Sequence, residues 1–278
     1  MSRDPGGKPD FPGRDAGGGD GPQAVHGKRT SPLSLIVNAD DWGRNLEVNR
    51  QIFELLRCGK LTSTSILANG PEIEDALILA RRLPDSGFGV HLNCTEYRPL
   101  TNSLALKALL DESGDMKAVI REIRITPSLV QAVYEEWSAQ IARIAAAGVR
   151  INHIDSHHHS HNLPRFLPVL RALRKRFDIP RARITMNIFG KNEQKSRKLL
   201  VMKKLYNTAL RHFCGFRTPD GCGDFATFLD LSVSHFAGMS VVELMTHPGH
   251  TAFELETQRL AQPWSIDFPY RLISYDSF

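Results

Sequence analysis

From residue 33 onward the chain alternates short apolar runs with segments whose apolar positions recur every three to four residues, the pattern of strands and helices taken in turn. Residues 33–39 (LSLIVNA) are continuously apolar and rich in β-branched side chains, as expected of a strand covered on both faces. Residues 45–58 carry Val48, Ile52, Leu55 and Leu56 at helical spacing, and Gly59 is placed to end that helix. The same reading predicts a strand at 62–68, a helix at 71–82 opened by Pro71, and a strand at 87–92. Residues 93–126 have no period and read as an excursion over the strand mouths, after which 127–147 is a strong helix closed by Gly148. The second half predicts strands at 150–155, 182–188, 241–245 and 270–275, and helices at 164–177, 195–213 and 224–238. Residues 216–218 are a candidate eighth strand. Seven or eight mainly parallel strands in strand–helix alternation favour an α/β barrel, irregular or incomplete, over an open doubly wound sheet.

Before this region the pattern is absent. The first thirty residues are rich in Gly, Pro and Asp and hold no apolar core of a signal peptide, so residues 1–31 are expected to be a disordered tail and 32–278 the folded domain. At 278 residues, 41% hydrophobic and 23% charged, one large α/β domain fits the chain. Four cysteines without a CxxC pair are expected to be reduced thiols of a cytoplasmic protein, and no stretch reaches the apolar length of a transmembrane helix. The net charge of +5 is modest. Much of its basic excess lies in residues 171–183 and 191–204, which read as solvated helix faces, with weak attraction to an anionic polymer or membrane as the lesser reading; they carry no interleaved aromatics of the kind that stack on nucleic acid, so no nucleic-acid partner is expected. There is no GxGxxG or GxxxxGK[ST] fingerprint for a nucleotide.

The chemistry-bearing residues follow the apolar runs. Asp40 and Asp41 end the first strand, His91 ends the third, and His247 follows the run at 241–245. Residues 151–161 (INHIDSHHHSH) hold five histidines and Asp155 at the end of another strand. Catalytic groups at the carboxyl ends of several strands are the layout of a barrel enzyme, and carboxylate with imidazole suits a divalent metal. Adjacent side chains on a strand point to opposite sides, so a turn at the strand exit is needed for Asp40 and Asp41 to face one cavity. Two carboxylates then allow one to hold a metal and the other to act as general base on water. If the histidine run is extended, His157, His159 and His161 share one face. His247 is placed to protonate a leaving group or to stabilise an oxyanion.

Taken in order, IVNADDWG, GKLTSTSILANG, FGVHLN, TEYRPLT, HIDSHHHSH and ELMTHPGH resemble the YdjC-type carbohydrate deacetylases, over nearly all of the folded chain. The resemblance implies a distorted (β/α) barrel, with Asp41, His91 and His157 as metal ligands, Asp40 as catalytic base and His247 assisting the leaving group. It implies a hydrolase that removes an N-acetyl group from an amino sugar or oligosaccharide and releases acetate. It also implies one divalent cation, magnesium by family, with zinc or cobalt suited by donor type. Trp42, His159, His161 and Arg98 are candidate substrate contacts, and a homodimer is one open assembly. Trp42 stands where relatives mostly carry phenylalanine, Tyr97 where they mostly carry glycine, and the stretch 259–268 is less regular than theirs. The competing expectations are a phosphoesterase or amidohydrolase on a similar barrel, and a non-catalytic sugar-binding relative.

Overall fold

The computed structural model describes residues 31–264 and 266–278. The tail expected over residues 1–31 therefore lies, but for Ser31, outside the described residues. Among the described residues eight strands form one sheet: β1 (Leu33–Trp42), β2 (Ser63–Ile66), β3 (Gly87–Leu92), β4 (Ile151–Ser156), β5 (Arg181–Ala182), β6 (Gly221–Asp224), β7 (Val241–Thr246) and β8 (Tyr270–Leu272). Their order is β5-β4-β3-β2-β1-β7-β6, with β8 pairing the start of β1, and every ladder is parallel. The two edges approach one another through a bridge between Arg181 and Arg217 and through the Asn187 and Ile188 amides, both of which donate to the Cys222 carbonyl at 3.0 and 3.1 Å. This is a distorted, partly closed (β/α) barrel.

The helices are α1 (Leu46–Arg57), α2 (Ile73–Ala80), α3 (Pro127–Ala146), α4 (Leu167–Phe177), α5 (Arg197–His212), α6 (Phe225–Leu229) and α7 (Glu254–Ala261). Each forms where local signals agree. Asn45 caps α1 by accepting the Val48 amide at 2.8 Å, and its buried face holds Val48, Ile52, Leu55 and Leu56. Thr126 caps α3, whose Trp137 is fully buried with its ring against Phe166. Because helices cover the outside and polar residues close the inside, β1 is buried along its whole length.

Three sequence expectations fail, each for a local reason. The strand expected at 182–188 is only Arg181–Ala182, because the chain then turns across the barrel end and Arg183 points inward. Residues 216–218 form a single bridge; the added strand is Gly221–Asp224, whose two glycines disguise it. A side chain at Gly223 would lie 2.9 Å from the Ile188 Cβ, so the close approach of β6 to that segment requires glycine. The helix expected at 224–238 is broken into α6 and a 3₁₀ turn, Val233–Phe236.

Candidate metal centre

The strand mouths surround a cavity of about 410 Å³ whose walls include Asp40, Asp41, Arg44, His91, His157, His159, Asp224 and His247. The pairing of β1 with β2 runs Ala39↔Thr64 and then Trp42↔Ile66, so β1 carries one extra residue, and Asp41 there adopts φ 67. This bulge with a left-handed residue lets two consecutive carboxylates face one cavity, at a backbone cost of about 1–2 kcal/mol. It also turns Trp42 away: the ring is fully buried against Phe88 at 5.8 Å and forms no part of the cavity wall.

Three ligand-type atoms converge. Asp41 Oδ1 lies 3.2 Å from His91 Nε2 and 2.8 Å from His157 Nδ1. Both imidazoles are oriented from behind. His91 Nδ1 donates to Asp155 Oδ1 at 2.9 Å, and His157 Nε2 donates to Glu96 Oε2 at 2.8 Å. With those outer nitrogens carrying protons, neutral rings present their inner lone pairs to Asp41, whose buried Oδ1 then has no hydrogen-bond donor. A cation about 2.1 Å from three such atoms sets them roughly 3 Å apart on an octahedral edge, so the spacing fits a divalent ion. Protons can hold the same geometry. Against burial, the Asp155 and Asp40 carboxylates raise His91 to about 10, and Asp41 and Glu96 raise His157. Asp41, despite its burial, is held well below the usual carboxylate range by the two imidazoles.

A second grouping of possible ligands, Asp40, His91 and Asp155, already has its cation. The Arg183 guanidinium is fully buried and meets Asp40 at 2.6 Å through both Nη1 and Nη2, Asp155 at 2.9 Å and Glu243 at 2.8 Å. Asp40 Oδ1 also accepts from Asn38 Nδ2 at 2.9 Å. Burial would raise the Asp40 carboxyl, but Arg183 brings it below its ordinary value. Asp40 is thus ionised and fixed in orientation. Ser65 ties the groups together by donating to Asp155 Oδ2 at 2.8 Å.

The histidine run does not stay extended. His158 and His159 have φ 49 and 52, so the alternation of sides is lost within a 3₁₀ turn. His157, His158 and His159 line the cavity, while His161 turns inward, where Ser156 meets its Nδ1 and the Arg183 carbonyl accepts from its Nε2 at 3.3 Å. His161 therefore has no face for substrate. His159 keeps one: its Nδ1 is buried and lacks a partner, and burial lowers the ring to about 4. Arg98 lies elsewhere, exposed on a separate cavity and donating to the Ser113 carbonyl at 2.9 Å. Tyr97 has φ 62, the backbone region glycine enters freely, and the Arg44 guanidinium sits 5.8 Å from its ring. His247 lines the same cavity, after the strand β7 that pairs with β1, with its ring stacked on Phe253 at 4.5 Å; burial lowers its pKa.

Arg183, Glu96 and Ser65 were not singled out from sequence. Arg183 sits in a basic run that reads as a solvated helix face, yet it is the central buried cation. Glu96 follows FGVHLN in an aperiodic stretch. Asn93 holds it there by accepting the Thr95 and Glu96 amides at 2.9 and 3.2 Å, and that pairing of Asn with two following amides is the one local signal present in the sequence.

The chain is similar to known proteins in sequence and in fold. The model of the family described as YdjC-like protein matches residues 34–270. A carbohydrate deacetylase of Brevibacillus brevis is 31% identical over 225 residues, covering 78% of this chain and 82% of that protein. One of Geobacillus stearothermophilus is 37% identical over 153 residues, covering 54% and 59%. In three dimensions the chain is similar to a crystal structure from Enterococcus faecalis V583, of a protein provisionally named for cellobiose-phosphate cleavage. That match has a TM-score of 0.66 and 26% identity, over 89% of this chain and 99% of that one.

Proposed function

The chain belongs to the YdjC-like protein family, and on that premise we propose that it is a metal-dependent hydrolase that removes an N-acetyl group from an amino sugar or oligosaccharide. The observation that carries this reading is the convergence of Asp41, His91 and His157 on one point, with each outer imidazole nitrogen bound to a carboxylate. These residues would hold one divalent cation. One carboxylate with two imidazoles suits zinc or cobalt by donor softness, and family resemblance points to magnesium. When bound, the cation supplies Lewis acidity at the acetyl carbonyl and lowers the pKa of water toward about 7.

The chain's own residues do the rest. Asp40 accepts the proton of the attacking water. Its lowered pKa makes it a weak base, adequate only for acidified water, while Arg183 keeps it charged and aimed at all times. His247, at the end of β7 in the same cavity, donates to the departing amine. Because burial lowers its pKa, its imidazolium form is a stronger acid toward that nitrogen than an ordinary imidazolium. His159 Nδ1, buried without a partner at the cavity wall, binds a sugar hydroxyl. Arg98 lines a separate cavity and donates to the Ser113 carbonyl, so we assign it no contact with the acetamide. We place the protein in the cytoplasm, on four free cysteines; no helix among the described residues is long and apolar enough to cross a membrane.

The test is acetate release from a panel of N-acetylated sugars by protein stripped of metal and then restored with single cations. Acetate release that disappears on stripping and returns with one equivalent of a divalent ion is expected. Turnover indifferent to chelation, or faster cleavage of phosphate esters than of acetamides, refutes the proposal.

A further inference from the structure

We propose that α5 docks on an anionic lipid bilayer and seats the mouth of the site at a membrane surface. The inference goes beyond the proposed reaction and does not depend on it. The helix meets the body of the protein through Tyr206, Asn207 and Leu210, all in its second half. On the opposite side, Val201, Met202 and Leu205 are 57%, 53% and 65% exposed, an apolar stripe turned to solvent at positions three and four apart. Leu199 and Leu200, one turn earlier, are also exposed.

The flanks of this stripe say what covers it. Residues 191–212 contain Lys191, Lys195, Arg197, Lys198, Lys203, Lys204 and Arg211 against one acidic residue, Glu193, which is paired with Lys195 at 2.9 Å. Among the described residues Arg197, Lys198 and Lys204 have no acidic partner. An apolar stripe bordered by cations is the composition of a helix lying in the plane of an anionic interface. A second copy of the chain fits worse, because packing two stripes together would set Arg197, Lys198 and Lys204 near their own duplicates. At 16 residues and with this charge, the helix is too short and too polar to span.

Three contacts connect the helix to the site. Tyr206 donates from its hydroxyl to the His161 carbonyl, Lys203 Nζ donates to the Met186 carbonyl at 2.7 Å, and Asn207 Oδ1 accepts the Thr185 amide at 3.0 Å. Met186 lines the cavity. A bilayer under α5 is therefore separated from the cavity wall by the helix and this one layer of contacts.

Flotation of the full chain with vesicles of three parts phosphatidylcholine to one part phosphatidylglycerol tests this. Binding at 50 mM salt that weakens steeply by 500 mM, with none to pure phosphatidylcholine, is expected. Val201→Ser/Met202→Ser/Leu205→Ser should lower the partition coefficient at least tenfold. Lys198→Glu/Lys204→Glu should lower it by tens of fold, at about fivefold or more per reversed charge. Both variants should melt with the parent, since these side chains are exposed. Absence of binding to the anionic vesicles overturns the proposal, as does binding that neither variant alters. A dimer in sedimentation equilibrium that the triple serine variant dissociates, without vesicle binding, assigns the stripe to a second copy instead.

Discussion

On the proposed reading Glu96 stands behind the ligand His157, and removing it should separate holding a metal from holding the fold. Its Oε2 accepts His157 Nε2–H at 2.8 Å, and its two oxygens accept Arg44 Nη1 and Nη2 at 2.9 Å each. Against burial, those two partners hold its carboxyl at about 2, so it is charged throughout the working range. A carboxylate behind a metal-binding imidazole fixes the tautomer and raises the basicity of the inner nitrogen, and its loss costs about 10–100-fold in metal affinity. Glu96→Gln keeps an acceptor for Nε2–H and loses only the charge, so it should fall near tenfold. Glu96→Ala loses both and also releases Arg44, whose Nη1 already lies 3.8 Å from Asp41 Oδ2 and would then compete with the cation. That variant should reach about a hundredfold. Calorimetric titration of the stripped proteins with Zn²⁺ or Mg²⁺ measures both. Glu96 is partly exposed, so the melting of the metal-free variants should change by less than about 1 kcal/mol. Unchanged metal affinity in Glu96→Ala, with the fold intact, refutes the placement of His157 as a ligand.

Two further predictions concern the carboxylates. Asp40→Asn should keep its metal while kcat falls about 10²–10⁴-fold, the usual contribution of a positioned base, and Asp41→Asn should lose metal and recover partly in excess; metal analysis of each purified variant showing the opposite distribution reverses the two roles. Glu256 accepts the His247 amide at 2.6 Å, and burial pushes its carboxyl up to about 7 from an ordinary value of 4.5. The folded state then binds this proton more tightly than the unfolded one, so the wild type loses stability as pH rises from about 4.5 through 7. Glu256→Gln removes that loss and should gain on the wild type by at most about 3 kcal/mol between pH 4.5 and 8.5 in denaturant melts; a difference that stays flat with pH rules this out.

What the sequence made legible was wherever an apolar run ends in a polar side chain. Asp40, Asp41, His91, His157 and His247 all follow strands, and a parallel sheet collects strand ends on one side. The order of roles within that set was open because it depends on the backbone. Only the left-handed turn at Asp41 explains how neighbouring carboxylates share a cavity, and only the left-handed pair His158 and His159 explains why His161 faces inward. Arg183 falls in the strand expected at 182–188 and Arg174 and Arg176 in the helix expected at 164–177, but neither pattern says which arginine turns inward. The meaning of Arg183 comes from three carboxylates on β1, β4 and β7 that are 143, 28 and 60 residues away. Glu96 was hidden for a related reason: its excursion is ordered by Asn69, Asn93 and Gln140, side chains whose hydrogen bonds leave no period in the sequence.

Charge explains why these parts belong together. Asp40, Asp41 and Asp155 are each buried and each held below the ordinary carboxylate value, so all three are ionised. Arg183 supplies one positive charge among them, and Glu96 with Arg44 adds a balanced pair, which leaves three negative charges against one positive even with Glu243, whose carboxyl burial raises, left out of the count: a deficit of at least two. Buried charge without a counter-charge is costly, so something must supply it. Protons on His91 and His157 can, and so can one divalent cation, but both occupy the space between the same three atoms. Filling the centre with metal is therefore an exchange of two protons for one doubly charged ion. A monovalent ion would take up only one charge of that deficit, whereas a divalent one takes up two and leaves Asp40 charged beside Arg183, in the state a base must have before it can accept a proton.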